Sequence, residues 1–193
     1  MIITGKHKMS HFLLYEPVLT LDKAFMDKVR AYGIPKAIDG VTIKNMAEIQ
    51  LQHLILAWNV KTKLDLYTVT CKAYELNVKR IDKFPMIDFL RLTLSIEDLT
   101  TKAFEMFKTL KRESKDAAIK DILSKFERSN PRAILVEIMT ASNGAYTQTQ
   151  AGELPWIMAY DILEQQTLQY DKEMAISELQ EKRMKENGTK HRR

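Results

Sequence analysis

Through most of the chain the apolar residues recur at steps of three and four. Short polar stretches carrying proline, glycine or a capping side chain break the runs. That period lays one apolar stripe along a helix, so the pattern predicts a mainly α fold, a compact bundle rather than a stack of alternating strands. The start is different. Within residues 1–19, HFLLYEPV has strand-like content and Pro17 stops any regular run, which predicts an extended N-terminal segment.

From residue 20 to 180 the punctuation of helices repeats and predicts one helical domain. Thr20 can cap a helix that carries Leu21, Phe25 and Val29 on one face and ends at Gly33 and Pro35. Asn45 and Glu48 have capping-box spacing ahead of a stripe of Ala47, Leu51, Leu54, Ile55 and Trp58. Thr62 and Asp65 mark the next start, with Leu64, Tyr67, Cys71, Tyr74 and Val78 at helical spacing. The β-branched content of LYTVTCKAY keeps a strand open as the alternative for residues 64–78.

After Phe84-Pro85 a short apolar helix, MIDFLRLTL, is expected. Ser95 and Asp98 then predict a fresh helix carrying Leu99, Ala103, Phe107 and Leu110. A further helix is expected from Ser114, with Ile119, Ile122 and Phe126 aligned, and another from Asn130-Pro131 to Asn143-Gly144. No charge occurs from Ser142 to Gly152, and AYTQTQAGE, residues 145–153, reads as a loop. The total is about seven or eight helices, without a fixed-period repeat.

The last helix is the longest. Leu154-Pro155-Trp156 puts proline at its first position, and Trp156, Tyr160, Leu163, Thr167, Tyr170, Met174 and Ser177 then alternate steps of four and three, the spacing of a helix–helix seam. Near Trp156 the seam is wide, flanked by Ile157, Ala159 and Ile162; it narrows through Gln165, Gln166 and Gln169. The proximal half is expected to pack on the core. The distal half, with Tyr170, Met174 and Leu179, is expected to outrun it and offer a docking face.

Composition changes this picture in one place. The net charge of +5 invites a nucleic-acid reading, but residues 182–193 alone hold six Lys/Arg against one Glu, and the first 181 residues balance at 24 basic and 24 acidic. Basicity therefore belongs to a C-terminal tail, residues 181–193, expected to be flexible, and a neutral body argues against phosphate-backbone binding by the folded face. A single cysteine, Cys71, cannot form an internal disulfide. The start MIITGKHKMSH lacks a signal-peptide apolar region, and no apolar run approaches membrane-spanning length, so no membrane association and a cytoplasmic location are expected.

Candidate chemistry is thin. His7 and His11 have i, i+4 spacing, yet no Cys, Asp or Glu cluster completes a ligand set, so no metal is expected. His53 sits among Leu51, Leu54 and Ile55 and reads as a histidine at the core margin. Cys71 lies in an apolar stripe, there is no G-x-S-x-G, and the six glycines form no phosphate-binding loop, so neither a catalytic residue nor a cofactor is expected. The helix pair joined by SNPR fails as a DNA reader because AILVEIMTAS is apolar where a recognition helix needs polar side chains.

An extended start, a helical body, then ASNGAYTQTQAGELPWIMAYDIL leading into a long charged helix resembles the small helical assembly proteins of long-tailed bacteriophages, the tail assembly chaperones in particular, over residues 84–186. The resemblance implies a non-enzymatic protein in the host cytoplasm or associated with the virion. It also implies binding to hydrophobic segments of a partner, commonly the tape-measure protein, and a capacity to form homo-oligomers. No binding residue is carried over from it.

Read from the residues, the candidate protein interface is Trp156, Tyr160, Leu163, Tyr170, Met174 and Leu179, facing an amphipathic helix of a partner. The alternative is a nucleic-acid-associated protein anchored electrostatically by Lys182, Arg183, Lys185, Lys190, Arg192 and Arg193.

Overall fold

Proline removes a backbone donor, so the two apolar–Pro–apolar steps of this chain can pair with another segment only through the residues on either side. Both do so. In a computed structural model, which describes residues 7–10, 12–13, 23–110 and 131–190 (131 and 185–190 by backbone alone), Pro155 forms an isolated antiparallel bridge with Gln50, and Pro85 forms one with Lys8. Around the first, Leu51 N–H donates to Leu154 C=O at 2.9 Å and Trp156 N–H donates to Ile49 C=O at 3.0 Å. Around the second, Met9 N–H donates to Phe84 C=O at 2.9 Å and Met86 N–H to His7 C=O at 2.8 Å. Each proline thus occupies the position whose missing N–H is not needed, and each bridge joins two helix starts.

The elements follow from these anchors. Helix α1 is Lys23–Ala31, strands β1 (Ala37–Ile38) and β2 (Val41–Thr42) form a hairpin, and helix α2 is Leu51–Trp58. Helices α3 (Lys63–Ala73), α4 (Met86–Thr109), α5 (Pro131–Ala141), α6 (Gln148–Glu153) and α7 (Trp156–Lys190) complete the series, with 3-10 turns at Met46–Glu48 and Val78–Lys83. The fold is mainly α with a long C-terminal helix, as the periodicity predicts. The strand alternative for residues 64–78 falls away, because α3 is helical and Thr62 caps it by accepting from Asp65 N–H at 3.2 Å.

Helix α4 is the centre. Leu92, Thr93, Leu94, Ser95 and Ile96 are consecutively buried, so neighbours surround this stretch on every side. Helices α1, α2, α3 and α7 all pack against it. The expected break at Ser95 is absent for this reason. The Ser95 hydroxyl is satisfied inside the continuous helix, donating to Leu92 C=O at 2.7 Å and sharing a 3.0 Å hydrogen bond with the Tyr74 hydroxyl. Aromatic rings line both ends of α4: Phe84, Phe89 and Tyr67 at one, Trp58, Phe104, Phe107 and Tyr160 at the other.

Other expectations shift for local reasons. Asn45 does cap, accepting from Ala47 N–H at 3.0 Å, but it opens the 3-10 turn, and α2 starts only at Leu51, where the Gln50–Pro155 bridge releases the chain. Tyr67, Cys71 and Tyr74 are buried as their spacing implies, Leu66 and Val69 widen the buried face of α3, and Leu64 and the Val78 of the following 3-10 turn are exposed. The expected loop after α5 contains a helix, α6, whose capping box is Thr147 with Gln150. Gly152 is tolerated inside α6 because α2 passes closely, leaving an added Cβ 3.3 Å from the Gln52 Cβ.

Asp39-Gly40 forms the turn between β1 and β2. Both residues have positive φ, 54° and 80°, the geometry a two-residue hairpin needs, and Arg80 pins the turn through a 2.8 Å ion pair with Asp39. Part of the expected extended start is helical, at Met9, Ser10, Phe12 and Leu13. The cap at Thr20, the helix from Ser114 to Phe126, Asn130 and His11 lie outside the described residues. Helix α5 ends as expected: Asn143 and Gly144 are left-handed and Gly144 N–H donates to Met139 C=O at 2.8 Å. The expected tail boundary at residue 181 falls inside α7, which continues to Lys190.

Trp156 is the side-chain counterpart of the Gln50–Pro155 bridge. Its indole N–H donates to Met46 C=O at 2.9 Å, locking α7 onto the first 3-10 turn. Trp156→Phe should lower unfolding free energy by about 1 kcal/mol through the lost hydrogen bond, and Trp156→Ala by about 3–5 kcal/mol through the added cavity. Urea denaturation midpoints measure both. Equal losses would show that the hydrogen bond carries the anchor.

Candidate functional site

The long helix α7 divides into two physically different halves. In the first, Trp156 is 5% exposed and Leu163 is fully buried, while Ala159 fills the contact between them. Tyr160 is half-buried, its ring centroid 5.8 Å from Phe107 and its hydroxyl donating to Glu164 at 3.3 Å. These residues pack against α2, α4, α5 and the first 3-10 turn. Trp156 and Leu163, named in the candidate interface, therefore belong to the protein's own core, with Tyr160 at its margin.

From Leu168 onward every described side chain of α7 is exposed, through Met184. Residues 168–190 extend for about 34 Å at the α-helical rise of 1.5 Å per residue. Several apolar side chains lie along this stretch: Tyr170 is 37% exposed, Met174 44%, Leu179 51% and Met184 70%, with Leu168 and Ile176 also open. Burying such side chains is favourable by roughly 1.5–3 kcal/mol each when complete, so a row of them on one projecting helix is a standing opportunity for association.

The candidate residues do not share one face. Tyr170 and Met174 continue the seam of Trp156, Tyr160, Leu163 and Thr167, and Met184 lies two heptads beyond Tyr170 on the same line. Leu179 is five residues past Met174, about 140° round the helix, and falls beside Leu168 and Ile176 instead. The distal half is a two-faced helix with charged residues between its apolar lines. The steps of four and three run from Met174 to Ser177 and pass over Leu179, which the helical angle sets on the other line. Of the basic group, Lys182 and Arg183 are exposed on α7, Lys185 and Lys190 stand on its helical backbone, and Arg192 and Arg193 lie outside the described residues.

The other places with chemical potential are weaker. An open cleft of about 350 Å³ lies beside Trp58, lined by Ala57, Val60, Leu66, Glu97, Thr100 and Thr101. The exposed Glu97 stands on its rim, its carboxyl raised above the usual carboxylate range by desolvation against the cleft wall and then by Asp98. The Thr100 hydroxyl lacks a hydrogen-bond partner, but it is sealed from solvent, so a molecule in the cleft does not reach it.

Burial pushes the Cys71 thiol up to about 12, which keeps it protonated and unreactive. Among the described residues, no group of three or more His, Cys, Asp or Glu could hold a metal ion. None of the described helices is long and apolar enough to cross a membrane.

His53 has a measurable consequence for stability. Burial holds its imidazole below the ordinary histidine value, Lys44 and Lys72 push the same way, and Glu75 opposes them. Its Nδ1 is buried without a hydrogen-bond partner. The unfolded chain therefore takes up this proton more readily than the folded one. The contribution to stability is full above the unfolded value of about 6.5 and is lost as pH falls through it towards the lower folded value. Between about pH 7.5 and 5.5 the melting temperature of the protein should fall more than that of His53→Gln, and equal slopes would remove His53 as the cause.

The projecting half of α7 contributes little to the body. Met174→Glu should change unfolding free energy by no more than about 0.5 kcal/mol, whereas Leu163→Ala should cost about 2–5 kcal/mol. Thermal melts of the two variants would check the division. Compared with protein-family models, with curated proteins and with solved structures, the chain matches none, so its site stands on its own geometry.

Proposed function

We propose that the protein is a non-enzymatic interaction or assembly factor that docks apolar helical segments of protein partners on the distal half of α7, in the manner of the phage tail assembly proteins its sequence resembles. The observation that supports this reading is the run of exposed apolar side chains from Leu168 to Met184 on a helix that has left its own core behind. The proximal half fixes the helix rigidly through Trp156 and Leu163, so the projecting half is presented without the entropy cost of ordering a loose segment. Association would come from apolar area removed from water, and the charged residues between the apolar lines would set orientation.

A fluorescently labelled amphipathic helical peptide tests the reading by anisotropy. Saturable binding by the full chain is expected, lost on truncation after Gln169 and weakened about tenfold or more by pairing Ile176→Glu with Leu179→Glu. Equal binding by the truncated protein would sink the proposal. A salt titration with duplex DNA separates the electrostatic alternative. Tight binding that falls steeply with salt and disappears on deletion of residues 182–193 would replace the docking function with a nucleic-acid anchor.

A further inference from the structure

The two apolar lines of the distal α7 differ in what lies beside them, and one of them is matched to itself. The line that continues the core seam has positions Tyr170, Met174, Ser177, Glu181, Met184 and Gly188, spaced four, three, four, three and four. That spacing is a palindrome about residue 179. Turned end for end, the line superposes on itself: Met174 meets Met184, Ser177 meets Glu181, and Tyr170 meets Gly188. The small and large positions are complementary in this register, since the glycine leaves room for the tyrosine ring and the serine hydroxyl can donate to the glutamate.

Charge order points the same way. Residues 171–181 carry Asp171, Glu173, Glu178 and Glu181 against Lys172 alone, a net of −3. Residues 182–193 carry six Lys/Arg against Glu186, a net of +5. A parallel pair of these helices would set acidic on acidic and basic on basic. An antiparallel pair in the register above sets Asp171 and Glu173 of each copy against Lys182, Arg183 and Lys185 of the other, twice by symmetry, with the positions of Asp171 and Lys185 side by side next to the seam and Glu178 and Glu181 near the dyad.

We infer that the Met174 face of α7 is a self-association surface and that its occupant is the α7 of a second copy of this chain, antiparallel and related by a two-fold axis level with Leu179. This rests on the reading of the distal helix as a docking element, and it assigns one face of it. The opposite line of Leu168, Ile176 and Leu179 points away from the dyad seam and stays open for a different partner. Because Ser177 and Glu181 interrupt the seam, charge complementarity carries much of the specificity, and the dimer should dissociate as salt rises.

Two single-cysteine additions test orientation directly. Met174 and Met184 are both exposed, so Met174→Cys and Met184→Cys leave the core intact, and the native Cys71 is buried with its thiol protonated. Light scattering of the full chain at low salt should give twice the monomer mass, falling to the monomer value at high salt. Under mild oxidation, an equal mixture of the two variants should form the mixed disulfide between positions 174 and 184, while each variant alone stays largely unlinked. Disulfides in each variant alone at the rate of the mixture would overturn the antiparallel arrangement, and a monomer at every concentration would overturn self-association altogether. The peptide assay on Ile176→Glu with Leu179→Glu reads the other face, so loss of the dimer with peptide binding retained removes only this inference.

Discussion

The constraint on which the rest depends is the need of buried backbone groups for partners where two helices begin together. A helix start exposes N–H groups without intrahelical acceptors, and the segment before it has no ladder of its own. This chain meets the need by pairing the starts of α2 and α7 across Gln50 and Pro155, and by joining Met9 to Met86 across Lys8 and Pro85. Proline fits the central position because it has no N–H to leave unpaired and because its fixed φ leads into the helix that follows. The same geometry seats Trp156 against Met46 and sets the direction of α7.

With its start held, α7 has its path determined before its sequence changes character. Its first half finds Phe107, α2 and α5 beneath it, and Trp156, Ala159 and Leu163 are buried there while Ile157 and Met158 stay on the open side. Its second half keeps the helical backbone while the body falls away. The charged residues of this half run in order, acidic before basic, around two apolar lines. A rigid root and an exposed, charge-ordered arm are consistent with a part that meets other helices, and the buried thiol, the sealed Thr100 hydroxyl and the desolvated His53 are accounted for by packing.

Several misreadings share one origin. Ser95 looks like a cap because serine often is one, but a side chain chooses between capping and bonding within a helix according to what surrounds it. Here Tyr74 supplies a second partner, and α4 has no reason to stop. Asn45 behaves as a cap as its spacing implies, yet the helix it should open is interrupted by a pairing with a residue more than a hundred positions away. The missed helix α6 and the Asp39-Gly40 hairpin are of another kind, because their local signals, a Thr-x-x-Gln box and a turn dipeptide, were present in the chain.

The amino-acid sequence by itself determined the mainly α class, the caps at Thr62 and Asn143-Gly144, the helix start at Pro155-Trp156 and the seam at steps of four and three, because these depend on neighbours within one or two turns. It also determined that basicity lies at the C-terminal end, since charge is counted without coordinates. Only the tertiary structure decided which part of the seam is core and which is surface, because burial depends on where the body ends. Trp156 and Met174 occupy equivalent seam positions, and the difference between a core anchor and an exposed side chain lies in the protein that surrounds one of them and leaves the other open.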